Sequence, residues 1–531
     1  MSLSTSQAQT QSASGTPRNR IDLLVRLLLA VVSGVLLSLA FPPVTWGWLA
    51  LPAVALLIGL LIGTSPPKAA LVAFVAATAF FLPLLHWLTI VGTDAWIVLS
   101  IVCACYFAVM GFGIALLSRL PAWPIWVSGM WIAQEWLRGT FPFGGFPWGN
   151  LAFAQSDTSF GRLSMFTGAL ATSGAIVLCA SCVVAAVLTV RQGKFRQGVS
   201  WGIAAIAIVL LPVLATPPTQ GDQINGPAMA RIAVVQGGTP QLGLGAMDVR
   251  QAVLDNHVRQ TSLLAVEIAK GRQPRPDLVV WPENASDLDP NLDASAAAAI
   301  GTSVRAVNTP VLVGAIVNVP GDPQSVWNQG ILWDPVTGPG QTYSKTHPVP
   351  FGEYIPFRSL LAPLIDRFAR ITRDFAAGTD TGLFHINGLD IGDVICFEIA
   401  YNSVIDPLID EGARALTVQT NNATYGGTSQ PDQQLQIERF RALETGRSVV
   451  VAATTGISAF IAPDGTVLQS INEGQVGAAV REVALRGAMN PSAHIGGPLA
   501  GIWALASLGI VVWIGIRSIV NRRRTGHKVH G

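Results

Sequence analysis

Charge is scarce in this chain. Asp, Glu, Lys and Arg together make up 12% of its 531 residues, about half the roughly 25% usual for soluble domains. The formal net charge of +2 is too small for a nucleic-acid partner. Cysteine is also sparse. Four of the five, Cys103, Cys105, Cys179 and Cys182, lie in strongly apolar stretches and read as small core residues. The fifth, Cys396, is alone in the polar part of the chain, which excludes a disulfide framework there. No His/Cys set outside the apolar runs has zinc-like spacing, so no metal is expected. No glycine-rich phosphate loop follows a strand, no internal repeat appears, and no organic cofactor is implied.

Apolar residues, in contrast, reach 50%. The first twenty residues read as a disordered polar tail. A bilayer crossing needs about 20 apolar residues. Seven candidates precede residue 220, at 22–41, 47–63, 69–91, 95–118, 122–137, 164–189 and 199–216, and an eighth covers 497–516. The expected fold class is therefore an eight-span transmembrane helical bundle plus a second, polar domain. The span at 122–137 is the weakest, since it carries Pro121, Pro124, Gln134 and Glu135 at or inside its ends.

Cations set the orientation. Arg18, Arg20, Lys68, Arg119, Arg191, Lys194, Arg196 and the basic tail at 517–531 fall in alternate connections, all on one side. Both termini are expected in the cytoplasm, and residues 217–496 outside it.

That outer segment alternates short β-branched runs with helical stretches. Strands are expected at 231–236, 277–281, 311–317, 330–333, 391–397, 415–419 and 448–453, and helices at 254–270 and 432–446. Alternation of this kind predicts a layered α/β domain. Three polar residues stand at or just beyond strand ends: Glu283, Lys345 and Cys396. Functional groups are commonly presented there. Their types fit one job. A carboxylate takes a thiol proton, the sulfur attacks as a covalent nucleophile, and an ammonium group stabilises thiolate and oxyanion. On an extended strand, Glu398 would share a face with Cys396.

Glu, Lys and Cys in this order resemble the nitrilase superfamily, whose fold is a four-layer αββα sandwich; residues 228–487 would form it. The segments WPE at 281–283, KTHPVPFGEYIPF at 345–357 and ICFE at 395–398 resemble, more narrowly, the apolipoprotein N-acyltransferase family. So do FPP at 41–43 and GFPWGNLA at 145–152, and the placing of the domain between spans seven and eight. That resemblance implies a bacterial cytoplasmic membrane enzyme of the acyltransferase class. It implies Glu283 as general base, Lys345 as stabiliser and Cys396 as nucleophile, with Glu353 and Glu398 as supporting acids. It implies a membrane phospholipid as acyl donor and the amino-terminal diacylglyceryl-cysteine of a lipoprotein as acceptor, through a thioester. Phe397 stands where many members carry Tyr. The loop TNNATYGG, which holds Asn421, and the segment at 236–247 also depart from the common pattern. Residue types alone leave open which of Glu283, Glu353 and Glu398 is the base.

Other expectations follow from position. Trp148 would line an acyl entry path, and Trp46, Trp48 and His86 with Trp87 read as interfacial anchors. Glu135 would pair with Arg138, and Arg439 and Arg441 would form salt bridges from a helix face. Two rival functions share these residues. One is a membrane-tethered amidase acting on a small substrate, and the other is a binding scaffold with a degenerate site.

Overall fold

The computed structural model describes residues 17–214, 228–241 and 250–527. Residues 1–16 of the expected tail, 242–247 of the segment at 236–247, and Lys528 to Gly531 lie outside the described residues.

Seven helices come first: α1 (Pro17–Ser38), α2 (Ala50–Leu61), α3 (Pro66–Leu84), α4 (Thr93–Leu117), α5 (Trp123–Arg138), α6 (Ser159–Arg191) and α7 (Phe195–Leu214). Local chemistry sets their ends. Gly63, at φ 71°, terminates the α2 connection, and Pro66 and Pro67 open α3, where a missing N–H costs nothing. With the carboxy-terminal α13 (Ser492–His527), a helix stands at each of the eight expected spans. Only six are long and apolar enough to cross a bilayer. The other two are α2, with 12 residues, and α5, with 16. At 1.5 Å per residue, both fall short of a hydrocarbon core about 30 Å thick. The helix α6 is broken at Gly168, whose φ of 69° lies in the left-handed region.

Among the described residues, the polar domain is built from thirteen strands and five helices. In chain order they are β1 (Met229–Gln236), α8 (Arg250–Ala269), β2 (Leu278–Val280), α9 (Ala294–Val307), β3 (Val311–Val319), β4 (Asp322–Asp334), β5 (Gly338–Ser344), a single turn α10 (Arg358–Leu361) and β6 (Asp374–Phe375). Then follow β7 (Leu383–Ile386), β8 (Leu389–Ile395), α11 (Asn402–Asp410), β9 (Ala415–Thr420), α12 (Gln430–Thr445), β10 (Ser448–Ala453), β11 (Ser458–Ile461), β12 (Val467–Ile471) and β13 (Gly477–Ala484). One sheet has the order β13-β1-β2-β3-β4-β5 with β6 beside β4; the other runs β12-β11-β10-β9-β8-β7. The parallel strands β9 and β10 are buried throughout, as strands covered on both faces are, and β10 is apolar from Val449 to Ala453.

The two sheets pack face to face through Ile232, Val280, Leu312, Ile391, Ile395 and Val450. Leu254, Leu264, Ile300 and Val304 of α8 and α9 cover one outer face. Ile405, Leu408 and Phe440 of α11 and α12 cover the other. The result is the expected four-layer αββα sandwich.

The helix α12 has a second neighbour. Its far side packs on α6 and on the turn Leu151–Ala154 of the helical bundle. That is why a helix so rich in Gln and Arg is buried nearly along its whole length. Among the described residues, one apolar cluster runs from Phe81 and Trp148 of the bundle into Phe440 and Val449 of the sandwich. The domain is docked onto the bundle and not merely tethered to it.

Candidate active site

The strand β8 ends at Ile395, one residue before the cysteine. Cys396 opens a 3-10 helix, Cys396–Ala400, and its own φ is 57°. A left-handed backbone at a non-glycine residue costs about 1–3 kcal/mol and survives where the surroundings impose it, commonly at functional sites. The extended geometry expected through residue 397 is thereby corrected. Glu398 does not share a strand face with Cys396. Its carboxylate turns back and accepts from Ile395 N at 3.0 Å, Tyr343 OH at 2.9 Å, Thr346 N at 2.7 Å, Thr346 Oγ1 at 2.8 Å and His347 N at 3.0 Å. Five donors saturate a carboxylate's lone pairs. Glu398 therefore ties the cysteine turn to the segment following Lys345, and has no lone pair left to act as a base.

Lys345, just past β5, is fully buried. Its Nζ donates to Glu353 Oε1 at 2.7 Å and to Glu283 Oε1 at 3.2 Å. Burial alone would lower its pKa, but the two carboxylates and Cys396 outweigh that and hold it well above the ordinary lysine value. The ammonium group stays charged. Glu283 follows β2; its Oε1 also accepts from Asn328 Nδ2 at 2.6 Å, and its Oε2 accepts from the Asn421 backbone N at 2.8 Å. Glu353 Oε2 accepts from Val349 N at 2.7 Å.

Asn421 directly follows Thr420, and the Thr420 hydroxyl lies 3.3 Å from Cys396 Sγ. Glu283 and Cys396 are thus brought to the same end of β9. Burial, followed by the charge of Glu283, pushes the Cys396 thiol up, while Lys345 and the Thr420 hydroxyl pull it down. The net direction is upward, so the resting group is a thiol. Glu283 and Lys345 act on this thiol in opposite senses, the carboxylate raising its pKa and the ammonium group lowering it.

The remaining expected residues gather around this centre. The Phe397 ring stacks on Trp148, with centroids 5.4 Å apart, and on Phe146 at 5.6 Å. Trp148 is buried against the polar domain. Trp87 is buried too, with its Nε1 on Gln433 Oε1 at 3.1 Å. The reading of Trp87 as a lipid-facing anchor is therefore corrected, whereas Trp46 and Trp48 are exposed.

Glu135 and Arg138 do not form an ion pair. Glu135 accepts from Trp131 Nε1 and Leu151 N, both at 2.9 Å. Arg138 donates to the carbonyls of Phe146 and Trp148, both at 2.6 Å, and to Asn150 Oδ1 at 2.7 Å. It thereby shapes the loop that carries Trp148. Arg439 pairs with Asp157 at 2.9 Å. The wholly buried Arg441 pairs with Glu444 and also holds the carbonyls of Ile399 and Ala400, each at 2.8 Å.

Sequence reasoning missed Asn328, Thr420 and Gln433. Each is a polar residue inside or beside a buried element, with partners remote in the chain; local spacing carries no signal for them.

Comparison with known proteins places the chain in a family. The model of the apolipoprotein N-acyltransferase N-terminal domain matches residues 33–182. The carbon-nitrogen hydrolase model matches residues 231–488. An apolipoprotein N-acyltransferase of Mycolicibacterium smegmatis is 36% identical over 93% of this chain and 85% of its own length. One from Gloeobacter violaceus is 28% identical over 91% of this chain and 93% of its own. Among solved structures, an amidase from a Nesterenkonia species covers 54% of this chain and 100% of its own, with 16% identity and a TM-score of 0.35. Both halves of the chain are matched, and the relatives span nearly its whole length: it is a multi-pass membrane protein that belongs to the apolipoprotein N-acyltransferase family.

Proposed function

We propose that the chain transfers an acyl group from a membrane phospholipid to the α-amino group of the amino-terminal diacylglyceryl-cysteine of a lipoprotein, in two steps through a Cys396 thioester. The observation that carries this reading is the docking of the cysteine turn on the bundle, with Phe397 stacked on Trp148. It sets the nucleophile against the connection that follows α5 of the bundle, where two lipid-anchored substrates would meet. A soluble amide has no use for that placement.

In the first step Cys396 Sγ attacks the ester carbonyl as Glu283 takes the thiol proton. The oxyanion forms beside the Lys345 ammonium. Collapse expels the lysophospholipid alkoxide, which takes the proton from Glu283. In the second step the neutral amine attacks the thioester, Glu283 accepts the ammonium proton of the adduct, and the departing sulfur takes that proton back. Glu353 keeps Lys345 charged and placed, and Asn421 holds Glu283 through its backbone N–H. The site is read on the outer face of a bacterial cytoplasmic membrane with both termini inside, because the cationic connections alternate.

The test is intact-mass measurement of the purified full chain after incubation with phosphatidylethanolamine vesicles, beside Cys396→Ala. An acyl adduct that is absent in the variant, released by hydroxylamine and discharged onto a diacylated lipopeptide is expected. A folded wild type that takes no acyl group but hydrolyses small amides would favour the amidase reading.

A further inference from the structure

Thr420 is the last residue of β9 and is 1% exposed. Four groups surround its Oγ1: Gln434 Nε2 at 3.0 Å, Cys396 Sγ at 3.3 Å, and the side-chain carbonyls of Asn422 and Gln434, both at 3.4 Å. An amide nitrogen can only donate, so it occupies a hydroxyl lone pair and leaves the hydroxyl proton for one of the other three. Gln434 Oε1 is already filled by Asn422 Nδ2 at 3.0 Å and Gln430 Nε2 at 3.2 Å. The Gln434 amide is held in turn by Glu438 Oε1, 3.0 Å from its nitrogen. Of the acceptors left, only the sulfur gains negative charge during the reaction. A hydrogen bond to a charged acceptor is about twice as strong as a neutral one.

The geometry points to Thr420 as a further catalytic residue, whose hydroxyl donates to Cys396 Sγ and stabilises the thiolate as it forms and again as it leaves the thioester. Gln434 is its positioning residue, because its N–H turns the threonine proton toward sulfur. The need is plain from the surroundings. Burial and the Glu283 carboxylate both oppose a thiolate, and Lys345 must serve the oxyanion as well. The role in the leaving step rests on the acyl-transfer reading; the role toward the thiolate does not.

The test is the pH profile of Cys396 alkylation by iodoacetamide on the detergent-purified full chain, read at that cysteine by peptide mass spectrometry, over pH about 6 to 11. Thr420→Val keeps the shape and removes the hydroxyl; Thr420→Ser keeps the hydroxyl. Alkylation of the Val variant at a fixed alkaline pH is expected to slow by about tenfold or more, with its midpoint moved to higher pH, the cost of one hydrogen bond to a charged group. Ser should restore the wild-type profile. A Val profile that superposes on wild type overturns the inference. So does failure of Ser to rescue at an unchanged melting temperature, or equal slowing in Val and Ser with a lowered one. Alkylation uses no lipid. A wild type that never takes an acyl group would defeat the transfer reading and leave these outcomes legible.

Discussion

The Gln433 amide and the Trp148 indole meet across the boundary between the two domains, Oε1 to Nε1 at 2.8 Å. The same Gln433 oxygen accepts from Trp87 Nε1 at 3.1 Å, and the Gln433 amide nitrogen, Nε2, donates to Leu84 O at 3.0 Å and Pro42 O at 3.3 Å. Trp148 carries Phe397, and Trp87 carries Tyr425 edge-on at 4.9 Å. One side chain of the sandwich therefore registers three segments of the bundle and both aromatic walls beside the nucleophile.

Gln433→Met keeps the length and removes both polar ends. Two indole N–H groups and two carbonyls lose a buried partner, at about 1–3 kcal/mol for each left unsatisfied. The melting temperature in detergent should fall by several degrees, and thioester formation from vesicles should slow with it. Unchanged values for both would show that the amide does not register the domains.

Two of the acids near the cysteine, Glu283 and Glu398, should separate by substitution. Glu283→Gln removes the proton acceptor and should slow thioester formation by about 10²–10⁴-fold, with a smaller loss of melting temperature because its NH₂ group faces a single backbone donor, Asn421 N. Glu398→Gln presents an NH₂ group to a pocket lined by five donors. It should instead lower the melting temperature sharply, by the cost of about 1–3 kcal/mol per unmet donor. A stable but inactive Glu398→Gln protein would reopen the assignment of the base.

Arg441 and Arg439 lie two residues apart and should behave differently. Arg439 pairs with an exposed Asp157, and Asp157→Asn should cost at most about 1 kcal/mol. Arg441 is buried with Glu444 and holds the carbonyls that end the cysteine turn. Arg441→Met leaves Glu444 uncompensated, a loss of about 3–5 kcal/mol. Thermal unfolding of the two variants, side by side, checks the contrast; equal losses would contradict it.

Burial pushes the Glu438 carboxyl up to about 8 from 4.5. Its folded-state value lies above the unfolded one. Its contribution to stability is therefore full below about 4.5, drains as pH rises, and is gone above about 8. Glu438→Gln stays neutral throughout. Relative to that variant, the wild type should lose melting temperature steadily between those two pH values. Parallel curves would mean that Glu438 ionises normally.

Much of this was legible in the residues themselves. The apolar runs located all eight bundle helices, because partition into lipid depends on composition averaged over about 20 residues and little on neighbours. Glu283 was legible because it follows an expected strand and Cys396 because it stands near the end of one, whereas Lys345 was legible only through the motif around it, since the strand Gly338–Ser344 before it was not expected. The same local reasoning failed just past β8. A strand was expected through residue 397, but the chain turns at Cys396 into a left-handed conformation that no propensity favours. It is held there by contacts from Tyr343, Thr346 and His347, more than fifty positions upstream of Glu398.

The sequence by itself determined the division into bundle and sandwich, the alternation of cationic connections, and the three chemical groups of the site. Only the tertiary structure decided that Glu398 is enclosed by five donors whereas Glu283 and Glu353 meet at the Lys345 ammonium. It alone also decided that a Gln-rich helix is buried between two domains, and that Asn328 meets Glu283, Thr420 meets Cys396 and Gln433 meets Trp148. The reason is physical. Composition and periodicity report on the solvent each segment prefers, whereas a hydrogen-bond partner is chosen by strand register and domain docking, which bring together residues as distant as Trp87 and Gln433.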